Sequence, residues 1–202
     1  MNIEQARFNM IEQQIRPWLL MDESVLELLA IVKREDFVPQ HLKSLAFADL
    51  AIPLLGSSDE ALALGQCMLE PRLEARMLQD LAVQPSETVL EIGTGSGYMA
   101  ALLGKKARSV VSLEMVPELT AMARANLAKA GIHNVEVREA DGSQFKGADG
   151  SFDVIALSGS VTEVPDALLK LLKVGGRLGA FVGNEPVMRA TVIKRNSATD
   201  FS

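Results

Sequence analysis

The segment Thr88-Val89-Leu90-Glu91-Ile92-Gly93-Thr94-Gly95-Ser96-Gly97-Tyr98 decides the architecture. Its first five residues have the branched, apolar character of a buried strand. The glycines that follow make a tight turn in which bare backbone can approach a ligand, and a helix begins at about Tyr98. Beyond this segment short apolar runs alternate with helical periodicity, which predicts a parallel sheet with crossover helices. Strands are expected at 88–92, 109–113, 135–139, 152–157, 177–182 and 187–194. A helix from Pro117 to Ala130 buries Leu119, Met122, Ala123 and Leu127 and stops at Gly131, and another runs from Pro165 to Leu172, before Gly175-Gly176. The expected fold class is α/β, a doubly wound Rossmann-like sheet with helices on both faces and a helical N-terminal extension.

Residues 2–16 place Ala6, Met10 (or Ile11) and Ile15 on one side at helical spacing, and Arg16-Pro17 ends the pattern. Asp22 can cap a second helix with Val25, Leu26, Leu28, Leu29 and Val32 on its apolar face, and Pro39 opens a third, short one. The stretch Pro53 to Gln66, with Gly56, Ser57, Ser58 and Asp59, reads as a mobile loop. Pro71 then starts a helix through Leu73, Met77, Leu78 and Leu81. Residues 1–80 are thus a helical extension carrying a loop, and 81–202 the α/β core, in one structural domain.

With 202 residues, 48% of them hydrophobic, the chain can bury one sizeable core. Cys67 is the single cysteine, so a disulfide framework and a cysteine-rich zinc site are excluded; His41 and His133 lie far from it, and no metal is expected. No apolar run is long enough to cross a bilayer and the N-terminus lacks a cleavable leader pattern, so the expected location is the cytoplasm, away from membranes. A net charge of −6 argues against a nucleic-acid partner, and the Lys105, Lys106, Arg108 cluster reads as a solvated loop.

Glu91, at the strand end, is placed to meet a cationic group such as the amino-acid part of a cofactor. Glu114 closes the next strand about twenty residues on, where an acid can accept both ribose hydroxyls. Asp141 ends the third strand, positioned for an adenine amino group, with Gly142 beside it. Each has a plainer reading: glycines serve packing, Glu114 neighbours a helix start, and Asp141-Gly142 is a turn dipeptide. Their order, each at a strand's carboxyl end, favours S-adenosylmethionine. A nicotinamide dinucleotide is disfavoured because the last position of G-x-G-x-x-G would be Tyr98, too large for close helix packing, whereas Gly97 gives G-x-G-x-G.

These residues, with the segments around them, resemble the protein-L-isoaspartate O-methyltransferase family. The likeness takes in Arg34-Glu35-Asp36-Phe37-Val38-Pro39, Ala46-Phe47-Ala48-Asp49 with Ile52-Pro53, and Gly65-Gln66 leading to Pro71. It extends to Phe152-Asp153-Val154-Ile155 and to Leu172-Lys173-Val174-Gly175-Gly176-Arg177-Leu178. The resemblance implies repair of isoaspartyl residues in a protein or peptide acceptor by carboxylate methylation. It implies that Gly93, Thr94, Gly95, Ser96 and Gly97, with Glu91, Glu114, Asp141, Gly142 and Ser158, hold S-adenosylmethionine. Asp49, Gln66 and Pro71 would then shape the acceptor side.

The sequence is a divergent member of that pattern. After Gly-Gln the family has Thr-Ile-Ser, a further residue and Pro, its serine beside the transferring methyl; here the segment is Cys67-Met68-Leu69-Glu70-Pro71, and Leu69 takes the serine's place. Leucine cannot hydrogen-bond a carboxylate, and an ionised Glu70 would repel one. In Leu157-Ser158-Gly159-Ser160 either serine could supply a hydroxyl, or both are turn formers. The family's C-terminal strand with its substrate-contacting motif has no counterpart after the polar stretch Asn196 to Ser202. A carboxylate acceptor needs no general base at neutral pH, in keeping with the lack of a His, Cys or Lys base near the glycine loop. Cys67 reads as a small packing residue rather than a nucleophile. Two alternatives stand beside the repair reaction: a methyltransferase of this fold acting on another acceptor, and a cofactor-binding protein without catalysis.

Overall fold

A computed structural model describes Asn2–Asn184 and Pro186–Ser202. Its main sheet has the order β5-β4-β3-β6-β7-β8, where β3 is Thr88–Ile92, β4 Ser109–Glu114, β5 Val135–Glu139, β6 Phe152–Val161, β7 Leu172–Asn184 and β8 Val187–Lys194. The first five in that order are parallel, and β8 returns antiparallel along β7. The chain enters at β3, moves out to β5, then crosses back to β6 beside β3. Loops leaving β3 and β6 therefore diverge, and the crevice between them is where such sheets bind ligands.

Alternation along each strand builds two cores. Val89, Val110, Val137 and Val154 face α4 (Pro71–Leu81), α5 (Tyr98–Lys106) and α6 (Pro117–Lys129). Leu90, Leu113, Ile155 and Leu178 face α7 (Asp166–Leu171) on the opposite side. The doubly wound α/β architecture is as the sequence implied. The first of these cores also takes in residues from Met10 to Phe47, so the N-terminal segment packs on the face that carries α4 to α6.

The N-terminal helix is less regular than its periodicity implied. Asn2 caps α1 (Ile3–Asn9), which passes into a π-helical stretch, Met10–Ile15, and then a 3-10 turn, Arg16–Trp18. A π turn holds more residues than an α turn, so Met10 and Ile11, offered by the sequence as alternatives, are both buried. Asp22 caps α2 (Glu23–Ile31) as expected, its side chain accepting from Ser24 N–H at 2.9 Å.

The stretch read as a mobile loop is structured. Ser57 accepts from the Glu60 N–H and caps α3 (Ser58–Ala63), while β1 (Ile52–Pro53) pairs antiparallel with β2 (Cys67–Met68). The S-x-x-E spacing of Ser57 and Glu60 is a helix-start signal that the turn formers around it obscured. β7 starts early because a register shift between the Phe152 and Val154 pairings absorbs Lys173 to Gly176 as a bulge, and β6 runs on because pairing resumes at Ser160–Phe181 and Val161–Val182 after a second shift. Lys105 and Lys106 sit in the last turn of α5 rather than in a loop. The tail folds back on β8 through the Arg195–Phe201 bridge.

α4 ends at Ala82, whose φ of 43° and ψ of 47° are left-handed. A side chain there costs about 1 kcal/mol against glycine. Ala82→Gly is therefore expected to raise the melting temperature by about 2–4 °C, measured by calorimetry; a fall would show that the Ala82 methyl is needed for packing.

Candidate active site

The loop after β3 is pinned to the neighbouring strand. Gly93 and Thr94 donate their N–H groups to the Leu113 carbonyl at 2.9 and 3.2 Å, and Gly95 N–H donates to Glu114 Oε2 at 2.8 Å. The Thr94 and Ser112 hydroxyls are bonded at 2.6 Å, and the Ser96 carbonyl accepts from Asn126 at 2.9 Å. Gly97 has a φ of 86°, and a Cβ on it would stand 3.3 Å from the backbone of Ala123. Glycine here lets α5 and α6 approach closely.

Glu91 is fully buried beneath this loop. One carboxylate oxygen accepts from Ser112 at 2.5 Å and the other from Ser158, on β6, at 2.8 Å. Burial pushes its carboxyl up to about 8, against the opposing pull of the two serine donors.

Two adjoining cavities open around the loop. The larger has about 740 Å³ of empty space and is lined by Gln66, Glu114, Met115, Asp141, Gly142 and Ser158 among others. Glu114 Oε1 also accepts from Val116 N–H at 3.0 Å, so its carboxylate faces the cleft while spanning the start of α6. Asp141 is exposed and accepts from Ser143 N–H at 2.8 Å; bonding to Ser143 holds its carboxyl below the usual range. A Cβ on Gly142 would meet Ile92 Cγ2 at 2.3 Å, so glycine sets the cleft floor. Carboxylates for a diol and an amino group, with an apolar wall from Ile92, Leu113, Val116 and Leu119, suit an adenosyl cofactor.

The smaller cavity, of about 400 Å³, shares Cys67, Gly93, Gly95 and Ser158 with the larger. Its walls add Leu69, Glu74, Met77, Thr94, Ser96, Tyr98 and Phe181. Arg34 is completely buried behind it, donating to the Ala46 carbonyl at 3.1 Å, the Leu69 carbonyl at 2.5 Å and the Glu74 carboxylate. Burial pushes the Glu74 carboxyl up to about 7, and Arg34 opposes the shift. Burial, then Glu70 and Glu74, raise the Cys67 thiol, so at neutral pH it is not a ready nucleophile.

The family model for protein-L-isoaspartate(D-aspartate) O-methyltransferase matches residues 5–201. The chain belongs to this family. A protein-L-isoaspartate O-methyltransferase of Koribacter versatilis is 38% identical over 192 residues, 95% of this chain and 82% of its own. One from Myxococcus xanthus is 42% identical over 164 residues, 81% of this chain and 74% of its own. A crystal structure described as a protein-L-isoaspartate O-methyltransferase of Plasmodium falciparum with S-adenosyl-L-homocysteine superposes with a TM-score of 0.77 at 19% identity. That superposition covers 96% of this chain and 92% of the other, and shows that the fold is shared.

Within this isoaspartate methyltransferase, most positions expected to hold cofactor line the two cavities, but Glu91 and Gly97 line neither: Glu91 is buried and reaches the wall through its bond from Ser158, and Gly97 packs on Ala123. Those expected on the acceptor side separate. Leu69 lines the smaller cavity, but Gln66 lines the larger one. Asp49 lines neither; it pairs with Arg72 at 3.1 Å, and the Arg72 guanidinium lies 4.4 Å from the Trp18 ring centroid. Pro71 is buried at the first turn of α4. Sequence reasoning missed Met115, two-thirds exposed on the cleft rim, although it directly follows Glu114. It also missed Glu74 and Tyr98, whose helical positions gave no sign of lining a cavity.

Proposed function

We propose that this chain methylates the free carboxylate of an isoaspartyl residue in a protein or peptide, using S-adenosylmethionine; the family match over residues 5–201 carries the reading. The chain is an S-adenosylmethionine-dependent O-methyltransferase. Bound, the cofactor supplies an electrophilic methyl group on a sulfonium. Glu114 would accept from its ribose hydroxyls and Asp141 from its adenine amino group, and Glu91, buried behind Ser158, would attract its ammonium. The acceptor enters the smaller cavity past Leu69. A carboxylate acceptor, already ionised at neutral pH, would need no proton removed by the protein. The protein's work is to align acceptor and methyl group and keep water out. An acidic chain with one free thiol suits the cytoplasm, where we place the reaction. No helix among the described residues is long and apolar enough to cross a membrane.

The test is transfer of labelled methyl to an isoaspartyl peptide, with the aspartyl isomer as control and cofactor affinity measured on the same sample. Selective, base-labile labelling is expected; tight cofactor binding without labelling would reject the reading. The apolar wall of Met68, Leu69, Met77, Met99 and Phe181 favours one second reading, a less polar acceptor. Leu69→Ser separates the two. Under the repair reading kcat/KM on the isoaspartyl peptide rises by less than about 100-fold, the worth of one hydrogen bond to a charged group. A gain a hundredfold or more would mean that Leu69 excludes this acceptor and that the natural one differs.

A further inference from the structure

Tyr98 is the first residue of α5 and is 1% exposed. Its ring meets Phe37 edge to face at 5.4 Å, and the Arg34 guanidinium lies 5.3 Å from its centroid. The ring is thus fixed between two buried neighbours. Its hydroxyl is enclosed and has no hydrogen-bond partner among the described residues. Burial, with a lesser contribution from Glu74, raises the phenol well above its ordinary value, so it remains a proton donor. A buried, unpaired hydroxyl is costly, and in a folded protein it calls for an explanation.

Its surroundings supply one. Tyr98 lines the smaller cavity with Leu69, the residue that cannot donate. The other hydroxyls with assigned bonds in that wall are engaged: Thr94 with Ser112, and Ser158 with Glu91. Arg34 is spent on Ala46, Leu69 and Glu74. Among the described residues of that wall the Tyr98 and Ser96 hydroxyls have no assigned partner, and of the two it is the Tyr98 hydroxyl that is fully enclosed.

We propose that Tyr98 Oη donates a hydrogen bond to the acceptor carboxylate, supplying from α5 the contact that a serine at position 69 would make, and is a catalytic residue of the methyl transfer. The bond holds one carboxylate oxygen so that the other presents a lone pair to the methyl carbon; the phenol proton stays on Tyr98. This assignment rests on the carboxylate-acceptor reading above.

The experiment is Tyr98→Phe, assayed for kcat and KM on the isoaspartyl peptide, for cofactor affinity and for melting temperature without cofactor. The expected result is a fall in kcat/KM of about 10- to 100-fold, the worth of a hydrogen bond to a charged group. Cofactor affinity stays within twofold, and the melting temperature is unchanged or higher because an unpaired buried hydroxyl has gone. Adding Leu69→Ser to Tyr98→Phe recovers much of the loss, which repair of a merely structural defect would not do. Unchanged kcat/KM in Tyr98→Phe, or a loss accompanied by a lower melting temperature and no rescue, overturns the role of Tyr98 alone. Absence of labelling by the unaltered protein overturns the carboxylate reading and this role with it.

Discussion

Replacing Glu114 by alanine is expected to weaken S-adenosylmethionine binding by about 100- to 10,000-fold, measured by calorimetric titration. The magnitude follows from two hydrogen bonds from ribose hydroxyls to a charged acceptor, each worth about 1.5–3 kcal/mol. Glu114 also accepts from the N–H groups of Gly95 and Val116, so its loss frees the glycine loop as well as the diol. The conservative Glu114→Gln keeps the shape, and is expected to lie between alanine and the unaltered protein. Retention of affinity within threefold in Glu114→Ala would reduce this carboxylate to a helix-start residue. The melting temperature without cofactor helps to separate loop disorder from loss of the diol contact.

Glu114 illustrates why part of the site was legible in the sequence. Strand, glycine turn and acid are each local patterns, and their relation in space follows once the strands are parallel and adjacent: Ile92 lies beside Leu113, so the loop after β3 must reach Glu114. Gly142 and Asp141 become legible by the same argument, one strand further out. The alternation of Val89 and Leu90 between two cores was equally readable, because a strand buried on both faces has no polar side. The smaller cavity was not readable. Arg34, Leu69, Glu74 and Tyr98 come from four segments with no common period, and only packing of the N-terminal extension on α4 and α5 brings them together. Asp49 is a different case: the family pattern marks it for the acceptor side, and in the fold it pairs with Arg72 and lines neither cavity. α3 was lost for a third reason, since Ser57 and Asp59 favour turns and helix starts alike.

Glu91 carries the second large effect. Its carboxyl titrates near 8 in the folded chain against an ordinary value of 4.5. Between those limits the folded state binds a proton that the unfolded state has released. The stabilisation this gives is complete below pH 4.5 and is lost as pH rises through 8. The amount at stake is on the order of 5 kcal/mol, and the raised Glu74 carboxyl acts in the same direction. The unliganded protein is therefore expected to lose stability from pH 5 to 8, read from denaturant midpoints, while Glu91→Gln, a neutral isostere, removes most of Glu91's share. An ammonium arriving at the Ser158 side favours the ionised carboxyl, so cofactor binding releases the proton, and affinity rises with pH by at most about tenfold per unit. Glu91→Gln is expected to flatten that rise between pH 6 and 7.5. If the variant keeps the full stability slope, the group that titrates is not Glu91. If it loses the stability slope but keeps the affinity slope, Glu91 braces Ser112 and Ser158 and the cofactor's ammonium binds elsewhere.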